Sequence, residues 1–149
     1  MVKYYHISSI QNKENILKQG IISDCSEIFV TSNLDQIPFI ANNQIFTDSY
    51  SIFLINEDAF NSEIIKDDVA DFGSQHQFIL NQQRISPQFI TFVKDEIWNH
   101  WELVEHCMSI VIKKLGFPDD YIHFNVSTCS DWCEHYNKKY NTNIIPLKH

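Results

Sequence analysis

The chain has 149 residues, of which 44% are hydrophobic and 13% aromatic, so it can bury the core of about one domain. Its formal net charge is -8 and Arg84 is its single arginine, which argues against binding a nucleic-acid backbone over a broad basic surface. Four cysteines occur without a signal-peptide pattern or a membrane-spanning apolar run. These features favour a cytoplasmic protein with reduced thiols and no membrane partner.

The N-terminal segment predicts a strand followed at once by a short helix. Residues 3–7 are rich in Tyr and Ile, which favour strands. Ser8, Ser9 and Asn12 are candidate helix caps, because their side chains can accept from backbone N–H groups. Gly20 is expected to end the helix with a positive φ.

The middle of the chain is predicted to be rich in strands. A short helix from 34 to 41 follows a capping residue at 32 or 33. Pro87 is expected at a bend or an edge, because proline cannot donate to a strand ladder. The predicted strands lie at residues 27–31, 50–55, 64–65, 75–80 and 84–93.

The last third has a helical pattern. Apolar residues recur at spacings of 4, 3, 4, 3 and 4 between Ile97 and Leu115, which predicts an amphipathic helix opened by Asp95-Glu96 and closed by Gly116. A strand at 121–126 and a second helix at 130–140 are expected after it. The chain is therefore predicted to be one α+β domain over 1–149, with a strand-rich part at 1–93 and a helix-strand-helix addition at 94–149.

Two segments of the chain together resemble one known family. The first is Tyr5-His6-Ile7-Ser8-Ser9, followed by Asn12, Gly20-Ile21 and Ile28-Phe29-Val30-Thr31. The second is Gln77-Phe78-Ile79-Leu80 with Ile85-Ser86-Pro87-Gln88-Phe89-Ile90. The first segment resembles the opening of proteins with the ADP-ribosyltransferase fold, in particular DarT-like DNA ADP-ribosyltransferases. The second resembles the family's segment in which a strand bearing a catalytic Glu leads to Ile-Pro-x-x-Ile. The resemblance covers about residues 4–93 and implies a split β-sheet core with a C-terminal helical addition.

The resemblance implies that NAD binds in a cleft between two small sheets. The implied activity is transfer of ADP-ribose from NAD to a macromolecular acceptor, either protein or nucleic acid, or hydrolysis of NAD. By analogy, the small size suits a microbial or phage effector or toxin that acts in the cytoplasm of the producer or of its target cell.

Four residues are implied to hold the cofactor. His6 would bond a ribose hydroxyl, and Ser8 lies on the same side of the strand two positions on. Asn12 would lie at the helix start near NAD, and Tyr50 would stack on nicotinamide. Taken as residues alone, His6 is more typical of a structural strand histidine, Ser8 and Asn12 of caps, and Tyr50 of core packing.

The chain departs from the family at the position of the catalytic Glu, which is Gln77, with Gln75 two residues before it. An amide accepts hydrogen bonds but carries no charge, and losing one stabilising group costs about two to three orders of magnitude in rate. Three interpretations follow: a degenerate binding module or inhibitor, a carboxylate supplied from elsewhere (Glu57, Asp68 or Glu96), or a deliberate Glu-to-Gln substitution.

Other interpretations of candidate residues stay open from the sequence. On residues alone, Gln75 and Gln77 are typical of the solvated face of a strand. Cys129, Cys133 and His135 are ligand types that suit zinc, but their spacing is not that of a common zinc motif, so buried thiols are expected there and no metal.

Overall fold

The computed structural model describes residues 2–43, 45–61, 63–66, 77–100, 102–103 and 106–107. Over these residues the chain is α+β, with antiparallel strand pairs and two short helices. The predicted fold class is confirmed at this level. The second part of the predicted helical third, and Gln75 and Asp68, lie outside the described residues.

The elements follow the predicted order with two differences: a strand at Ile21–Ile22 was not predicted, and a 3-10 turn at Pro87–Phe89 divides the strand predicted at 84–93 into two. The strands are β1 (Tyr4–Ser9), β2 (Ile21–Ile22), β3 (Ile28–Thr31), β4 (Ser49–Ile55), β5 (Ile64–Lys66), β6 (Gln77–Leu80), β7 (Arg84–Ile85) and β8 (Ile90–Ile97). The helices are α1 (Lys13–Gln19) and α2 (Ile37–Asn43), each preceded by a 3-10 turn, Ile10–Asn12 and Leu34–Gln36. Asn33 caps the second turn as predicted, since its Oδ1 accepts from the Asp35 N–H.

Six of the described strands form one sheet in the order β5-β6-β3-β1-β4-β8, and β2 pairs with β7 in a second, two-stranded sheet. Strand β4 lies inside the main sheet, as its continuous apolar sequence predicts, because a strand covered on both faces needs apolar residues on both.

The main sheet opens between β1 and β3. Strand β1 pairs with β4 along its whole length, from Tyr4–Ile55 to Ser9–Tyr50. Its pairing with β3 is limited to one position, Tyr5 opposite Thr31. On its other edge, β3 pairs with β6 along its whole length. Strands β1 and β3 therefore separate after Tyr5, and a space is left between them.

One face of the main sheet, called here the apolar face, carries the largest hydrophobic cluster. Val30, Phe53 and Leu80 point to this side and are 2%, 0% and 0% exposed. Ile16 of α1 and the second sheet cover them. Burying a side chain such as Phe53 contributes about 1.5–3 kcal/mol.

A polar contact fixes α1 to the rim of the apolar face. Lys13 Nζ lies 3.0 Å from Asp95 Oδ2 and 4.0 Å from the centre of the Phe92 ring. The Ser51 hydroxyl donates to Asp95 Oδ1 at 2.5 Å. The hydrogen bonds from Ser51 and Lys13 hold the pKa of Asp95 below its usual value, since both favour the charged carboxylate.

Gly20 joins α1 to the second sheet with φ +90° and ψ -177°, so the predicted positive φ is confirmed. A Cβ at this position would lie 2.1 Å from the Ile85 carbonyl oxygen. The position requires glycine for two reasons, the positive φ and the close approach of β7.

The predicted start of the third helix at Asp95-Glu96 is wrong. Both residues lie in β8, opposite Ser51 and Tyr50 of β4, and the strand continues to Ile97. The helical residues begin after Asn99, whose Oδ1 accepts from the Glu102 N–H at 2.9 Å while Glu102 Oε2 accepts from the Asn99 N–H at 3.2 Å. This reciprocal capping box marks the helix start that the apolar spacing alone placed too early.

Candidate functional site

The opening between β1 and β3 forms a cavity of about 300 Å³. It is called here the His6–Gln77 cavity. Its lining comes from β1, β3, β6 and the segment around α2: Tyr5, His6, Ile7, Phe29, Val30, Thr31, Ile40, Ile45 and Gln77. Of the positions that the resemblance singled out, the cavity is bordered by two from distant parts of the sequence, His6 and Gln77.

Cross-strand register explains the placement of Gln77. Tyr5 lies opposite Thr31, and Thr31 lies opposite Gln77, so the three side chains form a row on one face of the sheet. This is the face opposite the apolar face, and it is called here the cavity face. His6, which lies opposite Phe53, and Val30 belong to the apolar face by register and border the cavity from that side of the opening. Gln77 is 0% exposed, so its interpretation as the solvated face of a strand is wrong.

Buried polar groups form a chain of hydrogen bonds beside the cavity. The Thr31 hydroxyl donates to Gln36 Oε1 at 2.8 Å, and Gln36 Nε2 donates to Gln77 Oε1 at 3.5 Å. The three residues are 1%, 2% and 0% exposed. Burying a polar group costs free energy unless the group is hydrogen-bonded, and these hydrogen bonds offset that cost.

His6 bridges the opening between the strands. Its Nδ1 lies 2.8 Å from the Phe29 carbonyl oxygen. If the Tyr5–Thr31 register continued, that carbonyl would face Ile7, so the imidazole takes the place of main-chain pairing. Donation from Nδ1 leaves Nε2 as the acceptor of the neutral ring. Burial lowers the pKa of His6, against the smaller opposite effect of this bond, so the ring is neutral at pH 7.

Ser8 and Asn12 bond each other rather than bordering the cavity. Asn12 Nδ2 donates to Ser8 Oγ at 3.0 Å. Asn12 is the cap residue of α1 as predicted, but its side chain makes no capping bond. Ser8 shares the side of β1 that carries His6, as the two-residue spacing requires.

Tyr50 lies opposite Ser9 at the far end of β1 and is 1% exposed. Burial raises its pKa above the ordinary value. It is not among the residues that border the His6–Gln77 cavity. The structure therefore does not bring Tyr50 together with His6 and Gln77.

The two described carboxylates that were candidates to replace a catalytic Glu lie elsewhere. Glu57 is exposed in a 3-10 turn and borders a separate groove. Glu96 lies opposite Tyr50, with its Oε1 2.8 Å from Lys94 Nζ. Neither borders the His6–Gln77 cavity, whose described lining contains no charged side chain.

Sequence reasoning missed Thr31 and Gln36. Thr31 is an ordinary strand residue by composition, and only its register beside Gln77 shows its role. Gln36 follows the Asn33 cap within a 3-10 turn, and no sequence pattern marks it as buried. Over the described residues, no group of three His, Cys, Asp or Glu side chains is placed to hold a metal ion. The zinc-type residues after position 120 lie outside the described part.

No protein-family model, curated protein or solved structure matches this chain. In the part of the chain that the structure describes, no helix is both long and apolar enough to cross a membrane. The physical case for a function therefore depends on the His6–Gln77 cavity.

Proposed function

We propose that this chain is an NAD-binding protein of the ADP-ribosyltransferase type and that the His6–Gln77 cavity receives the nicotinamide-ribose end of NAD. The observation that carries the proposal is the meeting of His6 and Gln77 at one cavity where the main sheet opens. The resemblance implies that the His that holds the cofactor and the catalytic position share a cleft between two small sheets. In this chain the two positions border an opening within the main sheet.

The size and chemistry of the cavity support the choice of this end of the ligand. A volume of about 300 Å³ lies at the small end of ligand sites, which span about 300–1,000 Å³. The lining offers aromatic and aliphatic surface together with imidazole, hydroxyl and amide groups. These suit a planar ring and ribose hydroxyls, whereas a diphosphate needs cations that the described lining lacks.

The proposed activity is transfer of ADP-ribose to a macromolecular acceptor or to water, at a rate limited by the amide at position 77. A carboxylate there would face the positive charge that develops as the nicotinamide-ribose bond breaks. The neutral amide gives less stabilisation. The protein is expected to be about 10²- to 10³-fold slower than a carboxylate-bearing version.

A second candidate is a binding module or inhibitor of the same fold without transfer activity. The observation that favours it is the absence of a carboxylate from the described lining, with Gln77 buried and bonded to Gln36. Both candidates share NAD or a related nucleotide as ligand, and they differ in turnover.

Binding is tested first, by titrating NAD, nicotinamide and ADP-ribose into the full chain in a thermal-shift assay and by calorimetry. A ligand that binds only the folded state raises the melting temperature. We expect NAD to stabilise the protein. No shift and no binding heat at millimolar NAD would overturn the proposal for both candidates.

Turnover is tested by nicotinamide release from NAD in the original chain, in Gln77→Glu and in Gln82→Glu. Gln82 is a matched control, because it is also a buried glutamine (6% exposed) but bonds to Asn61, Ala59 and Arg84 away from the cavity. A gain of about 10²-fold or more in Gln77→Glu alone would support position 77 as catalytic. An equal, measurable rate in all three proteins would remove position 77 from catalysis. No nicotinamide release from any of them would favour the binding module.

A further inference from the structure

Three polar side chains are buried side by side at the cavity face, and they come from separate elements. Thr31 ends β3, Gln36 lies in the turn before α2, and Gln77 begins β6. All three are at most 2% exposed. Ile40 borders the cavity with Thr31 and Gln77, so an apolar residue at position 36 would be the simpler way to fill the space.

The hydrogen bonds of this group have one direction. The Thr31 hydroxyl donates to Gln36 Oε1 at 2.8 Å, closer than its other acceptor, the Asn33 carbonyl oxygen at 3.4 Å. The Gln36 amide nitrogen is then the group left to donate. That nitrogen donates to Gln77 Oε1. An amide or carboxylate oxygen at position 77 can therefore accept the N–H of Gln36, whose nitrogen lies 3.5 Å from Gln77 Oε1.

We propose that Gln36 is a positioning residue for position 77, which its amide N–H fixes at the cavity wall as a hydrogen-bond acceptor. In the native chain this bond fixes the plane of the Gln77 amide toward the ligand. In the Gln77→Glu variant the same bond favours the ionised carboxylate, because a donor to the charged form lowers its pKa. The inference rests on the proposed function, since it assigns a role within the same cavity.

The test depends on which titratable side chains border the cavity together with position 77. Among the described residues, the titratable side chains that border the cavity with it are Tyr5 and His6. His6 is neutral near pH 7, because burial lowers its pKa. The Gln77→Glu variant places a carboxyl group at this position. A change in the pKa of that carboxyl when Gln36 is also substituted therefore reports on the loss of the Gln36 N–H donor.

The test measures the pKa of this introduced carboxyl in Gln77→Glu and in Gln77→Glu with Gln36→Met, by carbon-detected NMR over pH 3–8. The signal of the introduced carboxyl is identified by its absence from the unsubstituted chain. Methionine keeps the length of Gln36 but donates no hydrogen bond. We expect the pKa of the introduced carboxyl to rise by about one unit. An unchanged pKa would overturn the proposal, whether or not NAD binds.

Two further variants keep the test decisive. Gln77→Glu with Gln82→Met removes a buried glutamine that does not border the cavity, and the pKa of the introduced carboxyl should stay the same. If the Gln36→Met variant does not fold, Thr31→Val removes the hydroxyl that orients Gln36. Adding Thr31→Val to Gln77→Glu is then expected to raise the pKa of the introduced carboxyl by less than Gln36→Met would. An unchanged pKa would count against the proposal.

The native chain gives an independent readout through NAD affinity. We expect Gln36→Met and Gln77→Met to weaken NAD binding by about three- to tenfold each. The double variant should lose no more affinity than the more affected single variant, because both changes break one unit. If the loss of NAD affinity in the double variant equalled the product of the two single losses, a shared role of Gln36 and Gln77 would be contradicted. An absence of NAD binding would overturn the proposed function while the NMR test still decides the role of Gln36.

Discussion

The two faces of the main sheet each bury a group of side chains, but with different chemistry. The apolar face packs Val30, Phe53 and Leu80 against α1 and the second sheet. The cavity face buries Thr31, Gln36 and Gln77 to the same degree beside an unfilled space of about 300 Å³. A fold that needed only stability would fill such a space with apolar side chains.

The difference suggests a division of roles. The apolar face supplies the free energy of folding through burial of hydrophobic surface. The cavity face holds satisfied polar groups at a site where a ligand can reach them, an arrangement typical of binding sites. Substitutions on the first face should therefore change stability, and substitutions on the second should change binding at a smaller cost.

The largest expected effect is on the apolar face. Phe53→Ala removes a fully buried ring and leaves a cavity, and we expect a loss of about 3–5 kcal/mol in the free energy of unfolding. Thr31→Val is the counterpart on the cavity face, where a loss of about 1–2 kcal/mol is expected. Urea unfolding measures both, and equal losses would contradict the division of roles.

A smaller but still large effect is expected at the join between α1 and the second sheet. Gly20→Ala places a Cβ against the Ile85 carbonyl and forces a non-glycine residue to adopt φ +90°. We expect a loss of about 2–4 kcal/mol in the free energy of unfolding. Gln19→Ala, at the neighbouring exposed position, is the control and should stay within about 0.5 kcal/mol. A tolerated Gly20→Ala would mean that the second sheet is not held closely against α1.

The smallest expected effect is a pH dependence at the boundary between the two faces. Burial lowers the pKa of His6 below its ordinary 6.5. Between the folded and unfolded pKa values the unfolded chain binds a proton that the folded chain does not, so stability falls as pH falls below 6.5. Melting temperatures measured from pH 7 to pH 4.5 give the slope of stability against pH. In His6→Asn the part of this slope that is due to His6 should be absent.

A paired variant separates the titration of His6 from its hydrogen bond. In His6→Asn the amide nitrogen occupies the place of Nδ1 and can still donate to Phe29, whereas in His6→Gln it cannot. Both variants should lose the pH component, and His6→Gln alone should lose additional stability at pH 7. An unchanged slope in both variants would show that His6 does not titrate in this range.

Local patterns predicted most of the described strands and both short helices. They also selected Gly20, and through the family resemblance they selected His6 and Gln77. The helix start was misplaced because Asp95 and Glu96 look like a first helical turn. Pairing with β4 and the bonds of Asp95 to Ser51 and Lys13 stabilise a strand there instead. The capping pattern at Asn99 and Glu102 was visible in the sequence and marks the correct start.

By itself, the sequence determined the order of strands and helices, the glycine at the end of α1 and the presence of an amide at position 77. These follow from backbone preferences and from residue identity, which act locally. Only the tertiary structure decided that β1 and β3 separate after one pair, that Gln77 is buried and that Gln36 bonds to it. These depend on strand register and on contacts between distant residues, because only the folded chain fixes which side chains face one another.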